Sequence, residues 1–119
     1  MKNLKRSDCA ILPLVLKRKW YDMIQRGEKH EEYRDYKTYW QRRLANWCSQ
    51  QKSDWNSISD NKWLVIGFSC GYRKPDMFFL LHSRKVRDFS ENPDWGEPDG
   101  RHYVLELGER VTIVEGGAS

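Results

Sequence analysis

The sequence predicts an α+β protein in which five or six mostly antiparallel strands form a small, twisted sheet or barrel, with two helices near the N-terminal half. Apolar runs of strand length dominate the second half of the chain, whereas two segments of the first half show helical spacing. The length of 119 residues is that of a single domain, 1–119, and residues 116–119 are expected to form a disordered tail.

The first half of the chain is predicted to begin with a strand and a helix. Residues 10–16, AILPLVL, form a short apolar run, in which Pro13 favours a sheet edge or a bulge. The segment that follows this run is predicted to be a helix, and Gly27 stands where a left-handed cap would end it. The stripe of that helix consists of Trp20, Met23 and Ile24.

A second helix is predicted from about Lys37 to Cys48. Its apolar stripe consists of Trp40, Leu44, Trp47 and Cys48. The polar, turn-rich residues 49–62 then connect this helix to the second half of the chain.

The second half is predicted to consist of strands. The apolar run over residues 63–72 and the run beginning at Met77 flank the turn residues RKPD, which predicts an antiparallel hairpin. The far half of the second strand turns polar and is expected to leave the core. After a loop over 90–100, two further short strands are predicted at HYVLEL and RVTIV.

Composition excludes several classes of protein. Six Trp, six Tyr and four Phe supply apolar surface that disordered chains lack. Three widely spaced cysteines do not form a disulfide framework, so a cytoplasmic protein is predicted. No apolar run is long enough to span a membrane. The histidines and cysteines have no metal-ligand spacing, and neither a metal nor another cofactor is expected.

Charge is distributed unevenly along the chain. Residues 1–52 contain 13 Lys and Arg against 6 Asp and Glu, whereas residues 53–119 contain 8 against 11. A basic half suits an anionic partner such as RNA or a nucleotide. A solvated basic helix face has the same composition, so charge alone leaves both interpretations open.

The densest cluster of charge is GEKHEEYR, residues 27–34. If this segment is an alternating strand, His30, Glu32 and Arg34 share one face, while Glu31 and Tyr33 share the other. The Glu32 carboxylate near Lys29 and Arg34 is either part of a structural ion pair or part of a functional cleft.

Within this segment, four residues match the pattern G-x-K-x-x-E-x-R, directly after an amphipathic helix that follows an apolar strand. They are Gly27, Lys29, Glu32 and Arg34. This order resembles the ASCH domain, a family in the PUA-like superfamily of small β-barrels, and the resemblance extends to LPLVLK and YVLEL. It implies a barrel whose cleft is lined by these four residues and binds RNA, nucleotides or modified nucleosides.

The resemblance also implies an alternative activity. Some ASCH proteins are amidohydrolases that remove the acetyl group of N4-acetylcytidine with a lysine, a threonine and a glutamate. Lys29 matches the lysine, Glu32 stands at the threonine position, and Glu106 is a candidate for the late carboxylate. Because of this departure we predict RNA or nucleotide binding, with amide hydrolysis through Lys29 and Glu32 as the alternative and a protein-interaction or regulatory module as a third possibility.

A candidate nucleic-acid surface adjoins the motif, where aromatic and basic residues interleave. It consists of Tyr36, Lys37, Arg42 and Arg43. The same composition is typical of core anchors beside a solvated helix face. Glu28, His30 and Glu31 are predicted to lie outside the site.

Overall fold

The computed structural model describes residues 1–51 and 62–115. The predicted tail, 116–119, and most of the predicted connection, 49–62, lie outside these residues. The helices and strands of the described part are β1 (Lys2–Lys5), β2 (Cys9–Leu16), α1 (Arg18–Gln25), β3 (Glu31–Asp35), α2 (Thr38–Cys48), β4 (Trp63–Cys70), β5 (Met77–Arg87) and β6 (His102–Val114).

All six strands belong to one mixed sheet. Its order is β1-β6-β5-β4-β2, and β3 pairs with β6. Because β5 and β3 pair with the same residues of β6, β3 and β1 follow one another along the opposite edge of β6. The β1–β6 and β2–β4 ladders are parallel, and the other three are antiparallel. The predicted α+β class is confirmed.

The sheet is open rather than a closed barrel. Within residues 1–51 and 62–115, β2 pairs only with β4, and β3 pairs only with β6. Each of these two strands therefore has a free edge. Pro13 lies in β2, as predicted for an edge strand, because proline has no N–H to donate to a second neighbour.

The second helix packs on the sheet through its predicted stripe, whereas the first buries Ile24 of its predicted stripe together with Tyr21, which was not predicted. Gly27 follows α1 with a φ of 79°, a left-handed conformation in which glycine is favoured, and its N–H donates to the carbonyl of Ile24. In α2, Leu44 and Trp47 are buried. The Trp47 Nε1 donates to the Ala10 carbonyl at 2.7 Å, which fixes α2 against β2.

The β4–β5 hairpin is confirmed, but the prediction of two separate strands at the C-terminal end was wrong. Residues 102–114 form one continuous strand, β6. The expected break contains Gly108, where an added Cβ would lie 3.0 Å from the carbonyl oxygen of Leu80. The β5–β6 ladder has register shifts on both sides of Leu81, in the same region, and β6 continues through them.

The strand β1 was not predicted. Three of its four residues are exposed, and only Leu4 is buried. So short and polar a segment carries no apolar pattern. It becomes a strand because the end of β6 offers an unpaired edge.

Candidate functional site

A cleft of about 690 Å³ opens between the free edges of β2 and β3. Residues 13–17 form one wall, and side chains of β3 and α2 form the other. Its aromatic lining residues are Trp20, Tyr39, Trp40 and Tyr72. Its charged lining residues are Lys17, Glu32, Arg34 and Arg43, three positive and one negative.

The alternation of β3 brings two of the four motif residues to this cleft. Glu32 and Arg34 lie on the same face of the strand and line both the cleft and a smaller adjoining pocket of about 210 Å³. Trp20 of α1 also lines both. A Cβ on Gly96 would lie 2.7 Å from the Cζ2 of Trp20, so the backbone of the loop before β6 packs directly on this indole.

Two arginines converge on one aromatic ring at the cleft wall. The guanidinium groups of Arg34 and Arg43 lie 5.2 Å and 5.0 Å from the centre of the Trp40 ring. The Arg43 Nη2 donates to the carbonyl of Pro13 at 2.8 Å, so α2 reaches across the opening to the free edge of β2.

Positive charge is concentrated around Arg34. Burial lowers the pKa of Arg34, and the nearby positive charge of Arg43 lowers it further, against the raising effect of Glu32. A guanidinium remains protonated in proteins even so. The cleft therefore holds fixed positive charge for which an anion is the natural complement.

The Glu32 carboxylate is buried, and its two oxygens have different surroundings. Oε1 accepts a hydrogen bond from the Tyr33 backbone N–H at 2.9 Å and lies 3.5 Å from the Arg34 Nη1. Oε2 is also buried, but in the described part of the chain it has no hydrogen-bond partner. A buried polar atom without a partner is uncommon in folded proteins and calls for an explanation.

Lys29 lies beside Glu32 and is completely buried. Its Nζ donates to the Glu31 carbonyl and lies 3.6 Å from the Glu32 Oε1 and 4.4 Å from the centre of the Tyr33 ring. Burial lowers the pKa of Lys29, although the charge of Glu32 opposes this effect. Lys29 does not line the cleft or the adjoining pocket, because Glu32 and Tyr33 lie around its amine.

Two other candidate residues lie elsewhere. Gly27 is exposed at the end of α1 and lines neither the cleft nor the adjoining pocket. The Glu106 carboxylate lies 3.3 Å from the His82 Nε2 and 3.1 Å from the Lys85 Nζ on β5. The structure thus groups Lys29, Glu32 and Arg34 but does not add Gly27 or Glu106 to the lining.

Of the predicted nucleic-acid surface, Arg43 alone lines the cleft. Arg42 is exposed on α2, and the Lys37 Nζ lies 3.6 Å from the Asp35 Oδ2. Tyr36 is partly exposed, with its ring 5.1 Å from that of Tyr103. These three residues lie outside the lining.

A buried polar network lies on the other face of β3, where the sequence was interpreted as having no functional residue. Arg87 holds Glu31 through two hydrogen bonds, Nη1 to Oε1 at 3.0 Å and Nη2 to Oε2 at 3.2 Å. The Tyr33 hydroxyl and the Asn92 amide also donate to the Glu31 Oε1. Burial alone would raise the pKa of Glu31, but these donors lower it overall.

Glu97 joins the same network from the loop before β6. Its Oε2 lies 2.6 Å from both the Arg87 Nη1 and the His102 Nε2, and its Oε1 accepts the backbone N–H groups of Glu91 and Asn92 at 2.8 Å each. Burial opposes ionisation, but these donors lower the pKa of Glu97 to about 2. The network fixes the position of the loop before β6, in which Gly96 packs against Trp20.

The alternation of GEKHEEYR contained a signal for this network. Glu31 and Tyr33 were placed on one face of the strand, and in the structure the Tyr33 hydroxyl donates to Glu31 at 3.0 Å. Glu31 was predicted only to lie outside the functional site, and its structural role was not foreseen, because its partner Arg87 is 56 positions away in the sequence. Such a distant partner has no local signature.

The described residues contain neither a membrane-spanning helix nor a cluster of metal-ligand side chains. No helix of residues 1–51 and 62–115 is both long and apolar enough to cross a membrane. The same residues contain no group of three or more His, Cys, Asp or Glu side chains arranged to hold a metal ion.

Comparison with known proteins gives one similar solved structure. No family model and no curated protein sequence matches the chain. The fold is similar to a crystal structure of a mutant ZmASCH protein from Zymomonas mobilis, with 13% sequence identity and a TM-score of 0.47. The alignment covers 88% of this chain and 72% of that chain.

Proposed function

We propose that this chain binds RNA or a nucleotide in the cleft between β2 and β3. The observation that carries the proposal is the pair of guanidinium groups of Arg34 and Arg43, which converge on the Trp40 ring in a cleft with a single carboxylate. Planar guanidinium groups bind phosphate oxygens through paired N–H donors.

The aromatic lining supports the same proposal. Tyr39 and Tyr72 are 63% and 99% exposed at the cleft, although large aromatic side chains usually bury most of their surface. Bases of single-stranded nucleic acids stack on such side chains, while cationic neighbours bind the backbone. Exposed tyrosines beside two arginines therefore suit a ligand that is both planar and anionic.

Replacing Arg43 with alanine is expected to weaken binding of a fluorescein-labelled single-stranded RNA about tenfold at low salt, because a phosphate contact is lost. Fluorescence anisotropy titrations over a series of salt concentrations measure this effect. The slope of log affinity against log salt should become shallower by about 0.7, the value for one phosphate contact on a single strand.

Arg42→Ala is the matched control, because it removes the same charge from the neighbouring exposed position of α2. Arg42→Ala should keep the elution volume and Tm of the parent protein, and the affinity of Arg43→Ala is measured on the fraction that elutes at the parent volume. Equal losses for Arg42→Ala and Arg43→Ala would contradict a role for the cleft, and no RNA binding by the parent protein at low salt would overturn the proposal.

Amide hydrolysis of an acylated nucleoside is a second candidate, favoured by the burial and lowered pKa of Lys29 beside Glu32. A lysine amine with a lowered pKa can act as a base or a nucleophile. Incubation with N4-acetylcytidine followed by chromatography should then release cytidine, and Lys29→Met should abolish the release. No cytidine above the blank at high protein concentration would eliminate this substrate.

A further inference from the structure

We propose that the Glu32 Oε2 is the recognition point for the exocyclic amino group of a nucleobase, so that the cleft prefers amino-bearing bases such as cytosine over uracil. The inference rests on the proposed function and adds the class of base. Its starting point is an acceptor that is buried and lacks a donor in residues 1–51 and 62–115.

The two carboxylate oxygens differ in their partners. Oε1 accepts the Tyr33 backbone N–H and lies 3.5 Å from the Arg34 Nη1, whereas the buried Oε2 has no donor in the described residues. The desolvation cost of this oxygen is present in the ligand-free protein, so a ligand that donates an N–H to it gains a hydrogen bond to a charged group.

Lys29 does not fill this role. Its Nζ donates to the Glu31 carbonyl, and the carboxylate oxygen it approaches is Oε1, at 3.6 Å. The buried amine thus balances the charge of Glu32 while leaving Oε2 without a donor. A carboxylate oxygen without a donor can accept a hydrogen bond from a ligand N–H.

Trp20 lies beside Glu32 at the proposed base site. The two residues together line both the cleft and the adjoining pocket, and Gly96, which also lines that pocket, packs on the Trp20 indole. A base stacked on Trp20 presents its edge to Glu32, while Arg34 and Arg43 are available to its phosphate. The carbonyl that uracil has in place of the amino group would face a carboxylate and be repelled.

The first test changes only the ligand. Isothermal titration of the parent protein compares cytidine 5′-monophosphate with the 5′-monophosphate of pyrimidin-2-one riboside, which differs only by the missing amino group. We expect the amino compound to bind about 10- to 100-fold more tightly, the range for one hydrogen bond to a charged group. Equal binding would overturn the inference while leaving nucleotide binding intact.

The second test changes the acceptor. In Glu32→Gln the amide oxygen is expected to keep the hydrogen bond from Tyr33, which places the amide N–H₂ at the Oε2 position. The preference for cytidine over uridine 5′-monophosphate should then disappear or reverse. An unchanged preference in a variant with the parent Tm would overturn the inference. Failure of the parent protein to bind any of these nucleotides would instead contradict the proposed function, and the ligand comparison stays decisive if the variant does not fold.

Discussion

Replacing Arg87 with methionine is expected to lower the free energy of unfolding by about 3–5 kcal/mol, the cost of removing one partner of a buried ion pair. The guanidinium contacts Glu31 at 3.0 Å and Glu97 at 2.6 Å, and its side chain is 9% exposed. Methionine fills a similar volume but donates no hydrogen bond. Two buried carboxylates would therefore lose their shared cation.

Urea unfolding followed by circular dichroism measures this loss, and Arg101→Met is the matched control. Arg101 pairs with Asp88 at 2.7 Å near the same loop, but both side chains are more than half exposed. Exposed pairs of this kind contribute little to stability because solvent screens them. If the two variants were equally stable, Arg87 would not have the structural role assigned to it.

The pH dependence of stability gives a second readout of the same variant. The folded-state pKa of Glu97, about 2, lies below its ordinary value, so its contribution is present at neutral pH and is lost as the pH falls towards 2. In Arg87→Met the pKa values of Glu97 and Glu31 should rise towards their ordinary range. The fall in unfolding free energy between about pH 5 and pH 2 should become smaller than in the parent protein.

Replacing Trp47 with alanine is expected to cost about 3–5 kcal/mol, the range for large aromatic residues removed from a core. Trp47 is 3% exposed, and its Nε1 donates to the Ala10 carbonyl at 2.7 Å. Both the packing and the hydrogen bond fix α2 on β2. Since α2 carries Trp40 and Arg43, RNA affinity should fall together with stability.

Trp63→Ala is the control for this substitution. Trp63 is 46% exposed, with the Lys2 Nζ 4.7 Å from its ring centre, so its removal leaves a much smaller void. Denaturant unfolding of both variants should show at least twice the loss for Trp47. The stability loss of Trp47→Phe, which keeps most of the packing without the N–H, should lie between those of the two alanine variants. If Trp47→Ala lost as little stability as Trp63→Ala, the role assigned to Trp47 would be contradicted.

Local patterns were sufficient to predict most elements of the fold. The spacing of Trp40, Leu44 and Trp47 predicted α2, and Gly27 predicted the end of α1, because helical periodicity and capping depend on neighbouring residues. The open edge of β2 was foreseen from Pro13. The strand β1 was missed because its pairing depends on the end of β6, more than 100 residues away.

The candidate site was predicted in part for the same reason. Glu32 and Arg34 face one cleft because the alternation of a strand is local, and Lys29 lies beside them. The contributions of Trp20 and Arg43 to the cleft depend on how α1 and α2 pack beside the free edges of β2 and β3. The spacing of residues within one helix does not determine this packing. The unpartnered Oε2 of Glu32 is likewise a property of the packed molecule.

The free edge of β2 has a consequence for association between copies of the chain. An unpaired strand edge is a template on which another strand can add, and proteins protect such edges with proline and with charged side chains. Here Pro13 removes one edge donor, and Arg43 occupies the carbonyl of the same residue at 2.8 Å. Arg43 therefore lines the cleft and, through the Pro13 carbonyl, also covers part of the free edge of β2, where it opposes the addition of another strand.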